Sequence, residues 1–251
     1  MNVLIIASRE LRSLFLSPLA WSILAVVQLL LGYLFLAQVE YFKLLEPRIA
    51  ALTESPGVTD LVIAPLYGNA GIILLLVTPL LTMRLISEER RSRTLSLLFS
   101  APVSLTEIVL GKYLGTLGLM GLIVLMITLM PLSLTAGTAL DWGKLAACVL
   151  ALSLLLAAFT AVGLYLSTLT NQPVVAAVGG FGALLLLWII DWGATIGTES
   201  GKVLGALSLL RHYETLLKGQ VSTSDLAYFL LCALTFLVLS IHQLDNDRLQ
   251  K

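Results

Sequence analysis

Apolar residues in this chain run in long blocks instead of recurring at the spacing of a soluble core. Residues 19–37 contain no charge, and only Ser22 and Gln28 interrupt the apolar and small side chains. Similar blocks cover residues 61–83, 113–130, 145–169, 174–190 and 226–241, and none contains Asp, Glu, Lys, Arg or His. Crossing the hydrocarbon of a bilayer takes about 20 apolar residues in a helix, so the pattern predicts six transmembrane helices. Pro65 opens the second block and Pro79 lies inside it, where neighbouring helices can satisfy the freed carbonyl; Pro79 is expected to kink that span. The predicted fold class is an all-α membrane protein, with residues 1–251 forming a single transmembrane domain.

The polar segments have patterns of their own. Residues 2–16 place Leu4, Ala7, Leu11, Leu14 and Phe15 on one helical face, opposite Arg9, Arg12 and Ser13, which suits an amphipathic helix lying in the interface. Ser17-Pro18 then starts the first span. That span is too long for the apolar core of a secretory signal and no small-residue cleavage site follows it, so it is expected to be retained. In the segment 84–112, Ser87 and the charges after it begin a short helix whose apolar side is Leu95, Leu97, Leu98 and Phe99. Pro102 ends that helix, and Ser104 with Glu107 forms a capping box for the next. In the segment 191–225, Leu209, Tyr213, Leu216 and Leu217 share one face of a helix expected to lie on or dip into the membrane. Gly219 is placed to close it, and Ser222 with Asp225 resembles a second capping box.

Composition agrees: 58% of the 251 residues are hydrophobic and 12% charged, far from a soluble domain. The formal net charge is +0, which gives no electrostatic footprint for nucleic acid. With the N-terminus inside, Arg9, Arg12, Arg84, Arg90, Arg91, Arg93, Lys112, Arg248 and Lys251 fall on the inner side. Lys43, Arg48, Lys144, Lys202, Arg211 and Lys218 fall on the outer. Because the inner excess is concentrated in residues 84–112, the positive-inside rule puts that loop and both termini in the cytoplasm.

Catalytic signals are missing. Cys148 and Cys232 lie in apolar blocks as packing residues, and His212 and His242 lack ligand spacing, so no metal site is expected. The nearest approach to a phosphate-binding loop, GTESGKV at 197–203, is one residue short and lacks the Ser or Thr, so no ATP-hydrolysing site is expected in this chain. The lack of charge inside the blocks argues against proton-coupled transport and intramembrane proteolysis. Gln28, Thr78 and Thr128 are polar residues within spans that either line a pathway or hydrogen-bond between helices. Gly111, Gly115, Gly118 and Gly121 make a small-residue stripe that suits close helix approach, within the chain or between copies.

Three stretches carry a family resemblance: RELRSLFLSPLAW at 9–21, EERRSRTLSLLFSAPVSLTEIVLGKYLG at 88–115, and LSLLRHYETLLKGQVSTSDLAYF at 207–229. The second resembles the segment of ABC-2-type transporter permeases that precedes the third span. The third resembles the gliding-motility and nitrous-oxide-reductase-maturation branch of that family. The resemblance implies a permease subunit, an exporter, in the bacterial inner membrane, dimerising with a second copy or a related permease. It implies an N-terminal helix along the inner surface, a cytoplasmic coupling helix between spans 2 and 3, and short outer-side helices before span 6. Glu88, Glu89, Arg90, Arg91, Arg93 and Thr94 occupy the coupling positions. Further implied partners are a cytoplasmic ABC ATPase subunit, which would hold ATP and Mg while this chain holds no cofactor, an outer-side accessory protein and membrane lipids. The C-terminal DNDRLQK departs from the basic tail frequent in the family. A different reading of the same features is a membrane scaffold or mechanotransmission subunit coupled to such an ATPase without moving a solute.

Overall fold

The computed structural model describes residues 2–49, 57–94, 103–138, 140–194 and 205–249. Among these residues there is no strand, and nine α-helices follow one another. They are α1 (Asn2–Leu16), α2 (Pro18–Ile49), α3 (Ala64–Thr82, entered through a π-helical turn Thr59–Ile63), α4 (Ser87–Arg91), α5 (Leu105–Leu132), α6 (Trp142–Leu169), α7 (Pro173–Ala194), α8 (Leu209–Leu217) and α9 (Thr223–Leu249). Six stretches are long and apolar enough to cross a membrane: Pro18–Pro47, Thr59–Arg91, Leu105–Thr135, Trp142–Leu169, Pro173–Ile190 and Thr223–Arg248.

These helices outrun the apolar blocks. α2 continues to Ile49 past Glu40, Lys43 and Glu46, because Val39 and Phe42 still pack against the core from one side. α5 begins at Leu105, where the expected capping box forms: Glu107 N donates to Ser104 Oγ at 3.2 Å and Ser104 N donates to Glu107 Oε2 at 3.0 Å. Lys112 is therefore a helical residue, not a loop charge, and the third span is not free of ionisable groups. α3 passes through Pro79, whose ring packs on α7 so closely that a Cβ at Gly180 would lie 3.3 Å from it.

α6 sits at the centre, with contacts to α3, α4, α5, α7, α8 and α9. Its Ala147, Ala151, Ala158, Ala161 and Gly163 are buried and small, which lets neighbouring backbones approach. A Cβ at Gly163 would fall 2.1 Å from Thr82 Oγ1 of α3. Large apolar side chains instead face outward, among them Leu29 and Tyr33 of α2, Val174 and Val178 of α7, and Leu231 and Leu234 of α9. That inversion is what a chain solvated by lipid requires.

α1 packs on α5 over its length. The glycine stripe is its seat: a Cβ at Gly111 would meet Ile6 at 2.6 Å, and one at Gly115 would meet Ala7 O and Glu10 Cβ at 2.8 Å. Gly118 faces Leu11 in the same way, whereas Gly121 faces nothing within 4 Å. The stripe is an intramolecular seam through Gly118. The packed face of α1 runs through Ile6, Ala7, Glu10 and Leu11. Leu4, expected on that face, is instead 70% exposed, because at 100° per residue it falls outside the arc centred on Ala7 and Glu10.

α8 also differs from its expected position. Leu209, Tyr213, Leu216 and Leu217 are buried against α3, α6 and α7, so its apolar face is covered by protein and not by lipid. Gly219, at φ +82°, closes it as expected: Gly219 N donates to Leu216 O at 2.9 Å and Gln220 N to Thr215 O at 3.3 Å. The second capping box does not form. Ser222 Oγ accepts from Ser224 N at 3.2 Å, and the shorter Asp225 carboxylate turns to His212.

Candidate functional site

The charged helix α4 hangs from one hydroxyl. Ser167, fully buried on α6, accepts from Ile86 N and Ser87 N at 3.0 Å each and donates to Met83 O at 3.0 Å. A hydroxyl has one hydrogen and two lone pairs, so Ser167 is saturated, and it fixes the turn between α3 and α4. Ser87 Oγ bonds back to Met83 O. α4 ends with Arg93 at φ 56°, where Arg93 N donates to Arg90 O at 3.2 Å and Thr94 N to Glu89 O at 3.0 Å. This is the closure usually made by Gly, and an Arg in the left-handed region costs about 1–2 kcal/mol.

Two ion pairs tie α4 to the other helices. Lys112 Nζ of α5 lies 2.8 Å from Glu89 Oε1 of α4 and 3.3 Å from Glu10 Oε2 of α1, with only 6% of its side chain exposed. Arg90 pairs with Asp247 near the end of α9. α1, α4, the first turns of α5 and the last of α9 thus meet at one end of the bundle through fixed charges. Buried pairs of this kind contribute little net stability but penalise every arrangement that separates them. Among the described residues, Glu89 Oε2 and Arg90 Nε are buried without a hydrogen-bond partner.

The six residues expected to form the coupling surface therefore divide. Glu89 and Arg90 are spent inside the protein. Glu88 and Arg91 are exposed on the outward side of α4, with Arg93 and Thr94 exposed just beyond. Thr94 Oγ1 lies 2.9 Å from Ser92 Oγ and 3.4 Å from Glu89 O. The expected apolar side, Leu95, Leu97, Leu98 and Phe99, lies outside the described residues, as does the stretch 197–203. Reading the sequence missed Glu10, Ser167 and Asp247, and took Lys112 for a topology charge. The available signal was Glu10, the one carboxylate on the otherwise apolar face of α1, opposite a lysine flanked by Gly111 and Gly115.

The polar span residues lie apart from this cluster. Thr78 is buried and donates to Leu74 O at 2.6 Å within its own helix. Gln28 Nε2 donates to Met126 O of α5 at 3.4 Å. Thr128 donates to Val124 O at 2.7 Å, so the Tyr67 hydroxyl 2.9 Å away must be donating to it. All three have partners within the protein. Cys148 is buried and Cys232 partly so, both unpaired. At the opposite end of the bundle, Lys144 pairs with Asp60, and Tyr213 donates to Tyr67 O at 2.5 Å. Burial holds the Tyr213 phenol well above its usual range. His212 bridges Asp225 Oδ1 at 2.6 Å and Ala206 O at 3.2 Å, and stacks on Tyr228.

The chain combines six apolar helices with an amphipathic helix before the first and a charged helix between the second and third, and residues 4–248 match the family described as ABC-2 family transporter protein. The chain belongs to the ABC-2 transporter family. No curated protein matches it. Membership makes the chain a multi-pass membrane protein and the permease subunit of an ABC transporter, a subunit type that is generally not itself the ATPase. In this permease, the ion-paired end of the bundle corresponds to the end carrying both termini, since six spans return the chain to the side where it began.

Proposed function

We propose that this permease is driven by a separate cytoplasmic ABC ATPase that docks on the outward side of α4, at Glu88, Arg91, Arg93 and Thr94, and that it works as an exporter paired with a second permease copy. ATP and Mg reside on the ATPase, and both termini face the cytoplasm of a bacterial inner membrane. The observation that carries the reading is the double attachment of α4. Glu89 links it through Lys112 to α5 and α1, and Arg90 links it through Asp247 to α9. A displacement imposed on α4 by a docked partner reaches three other helices without passing through a flexible loop. A helix that only anchored topology would need its positive charges and none of these attachments. Within the family, the resemblance of residues 207–229 favours the gliding-motility and nitrous-oxide-reductase-maturation branch.

The test is purification of the tagged permease from its native membrane in mild detergent, with identification of what accompanies it. An accompanying chain with a phosphate-binding loop and ATPase activity is expected. Its absence from a preparation that retains the six-span fold contradicts the reading.

A further inference from the structure

Beside α4 lies a cavity of about 410 Å³, within the range of small-ligand pockets, whose walls are of two kinds. One side is ionic: Arg9 of α1, Arg84, and Glu88, backed by the Glu10–Lys112–Glu89 group. The other is apolar, formed by Leu19 and Ala20 at the start of α2 and by Leu80 and Leu81 at the end of α3. These apolar residues belong to stretches able to cross the membrane, and Leu80 is 43% exposed, so the apolar side of the cavity lies toward lipid.

Charge decides the class of occupant. The lining holds three cations, Arg9, Arg84 and Lys112, and three carboxylates, Glu10, Glu88 and Glu89. Lys112 is already shared between Glu10 and Glu89. Arg9 and Arg84 are exposed and make no ion pair among the described residues, which leaves two guanidinium groups free to chelate a phosphate. Glu89 Oε2 is buried beside them without a donor, and Glu88 offers a second carboxylate. A lining with three cations and three carboxylates matches a zwitterion better than an anion. The donor missing at Glu89 calls for a primary ammonium with its three N–H groups, which a quaternary ammonium lacks.

We propose that this cavity binds a zwitterionic glycerophospholipid with a primary-amine headgroup. Its phosphate sits on Arg9 and Arg84, its ammonium on Glu88 and Glu89, and its acyl chains lie along Leu19, Ala20 and Leu80. The site shares Glu88 with the proposed docking face of α4, so lipid retention is measured on the permease freed of any ATPase.

Native mass spectrometry of the full chain in mild detergent tests it, with short-chain phosphatidylethanolamine, phosphatidylcholine and phosphatidylglycerol added in competition. Retention of the ethanolamine lipid roughly tenfold above the other two is expected, the loss of one charge-assisted hydrogen-bond set being of that order. Arg84→Gln and Arg9→Gln should each weaken it by roughly tenfold, with unchanged helix content. Glu88→Gln should narrow the gap between the ethanolamine and choline lipids. Equal retention of those two lipids, preference for the glycerol lipid, or indifference to both arginine substitutions overturns the proposal. Glycerophosphoethanolamine, the same headgroup without chains, should compete poorly. If it competes as well as the lipid, the ligand is a soluble amine-phosphate and the lipid assignment is wrong.

Discussion

Lys112→Met isolates the group that joins three helices. Methionine keeps the length of the side chain and removes the ammonium. Glu10 and Glu89, with 19% and 20% of their side chains exposed, would then face each other without a cation. Breaking a buried pair by deleting one partner costs about 3–5 kcal/mol, and the remaining solvent access of both carboxylates lowers the expected loss to about 2–4 kcal/mol. For a chain of this size that corresponds to a fall in melting temperature on the order of 10 °C. Thermal unfolding in detergent, followed by helical circular dichroism, provides the measurement. The control is Glu10→Gln/Lys112→Met/Glu89→Gln, which leaves no uncompensated charge and should recover most of the loss, since the three groups act as a unit. A single substitution that melts within a degree or two of the parent, or a triple variant no better than the single, would falsify the description of this cluster as a buried ionic junction.

The other predictions concern packing and topology. Gly115→Ala places a methyl 2.8 Å from Ala7 O and should destabilise by about 1–3 kcal/mol, whereas Gly121→Ala, with nothing within 4 Å, should be neutral or stabilising in the same melting assay. Tyr213→Phe removes the bond to Tyr67 O and should cost about 0.5–1.5 kcal/mol, read in the same melts, because that carbonyl keeps its helical donor and only one net hydrogen bond is lost. In a Cys148→Ala/Cys232→Ala background, Ser92→Cys should resist a membrane-impermeant thiol reagent in intact cells and Gln220→Cys should react; the reverse labelling would invert the topology.

The six spans were legible because an uninterrupted apolar run of sufficient length is visible in the sequence without any tertiary contact. So were the caps whose partners are close in sequence, Ser104 with Glu107 and Gly219 after α8. Helix ends past charged residues were not. Glu40, Lys43 and Glu46 mark α2 as a loop by charge, while its helical state there rests on Val39 and Phe42 meeting the core. Asp225 has the spacing of a cap but bonds His212, thirteen residues earlier, which spacing cannot reveal. The same limit hid the junction at α4. Glu10, Lys112 and Asp247 lie in three distant segments, and each alone reads as an ordinary charge at a membrane boundary. What the sequence did carry was a short charged helix after the second span, without the division between Glu89 and Arg90, which face inward, and Glu88 and Arg91, which do not.

That division permits the most direct test of the account. Glu88→Arg/Arg91→Glu reverses both exposed charges of α4 and leaves Lys112, Glu89, Arg90 and Asp247 in place. Opposed charges at an interface cost several kcal/mol, so the double variant should insert and melt as the parent does yet retain little of the co-purifying ATPase. The measurement is the amount of ATPase held per tagged permease in mild detergent. Loss of most of it, with the fold intact, is the predicted result; full retention would show that the ATPase docks elsewhere and that α4 is not the coupling element.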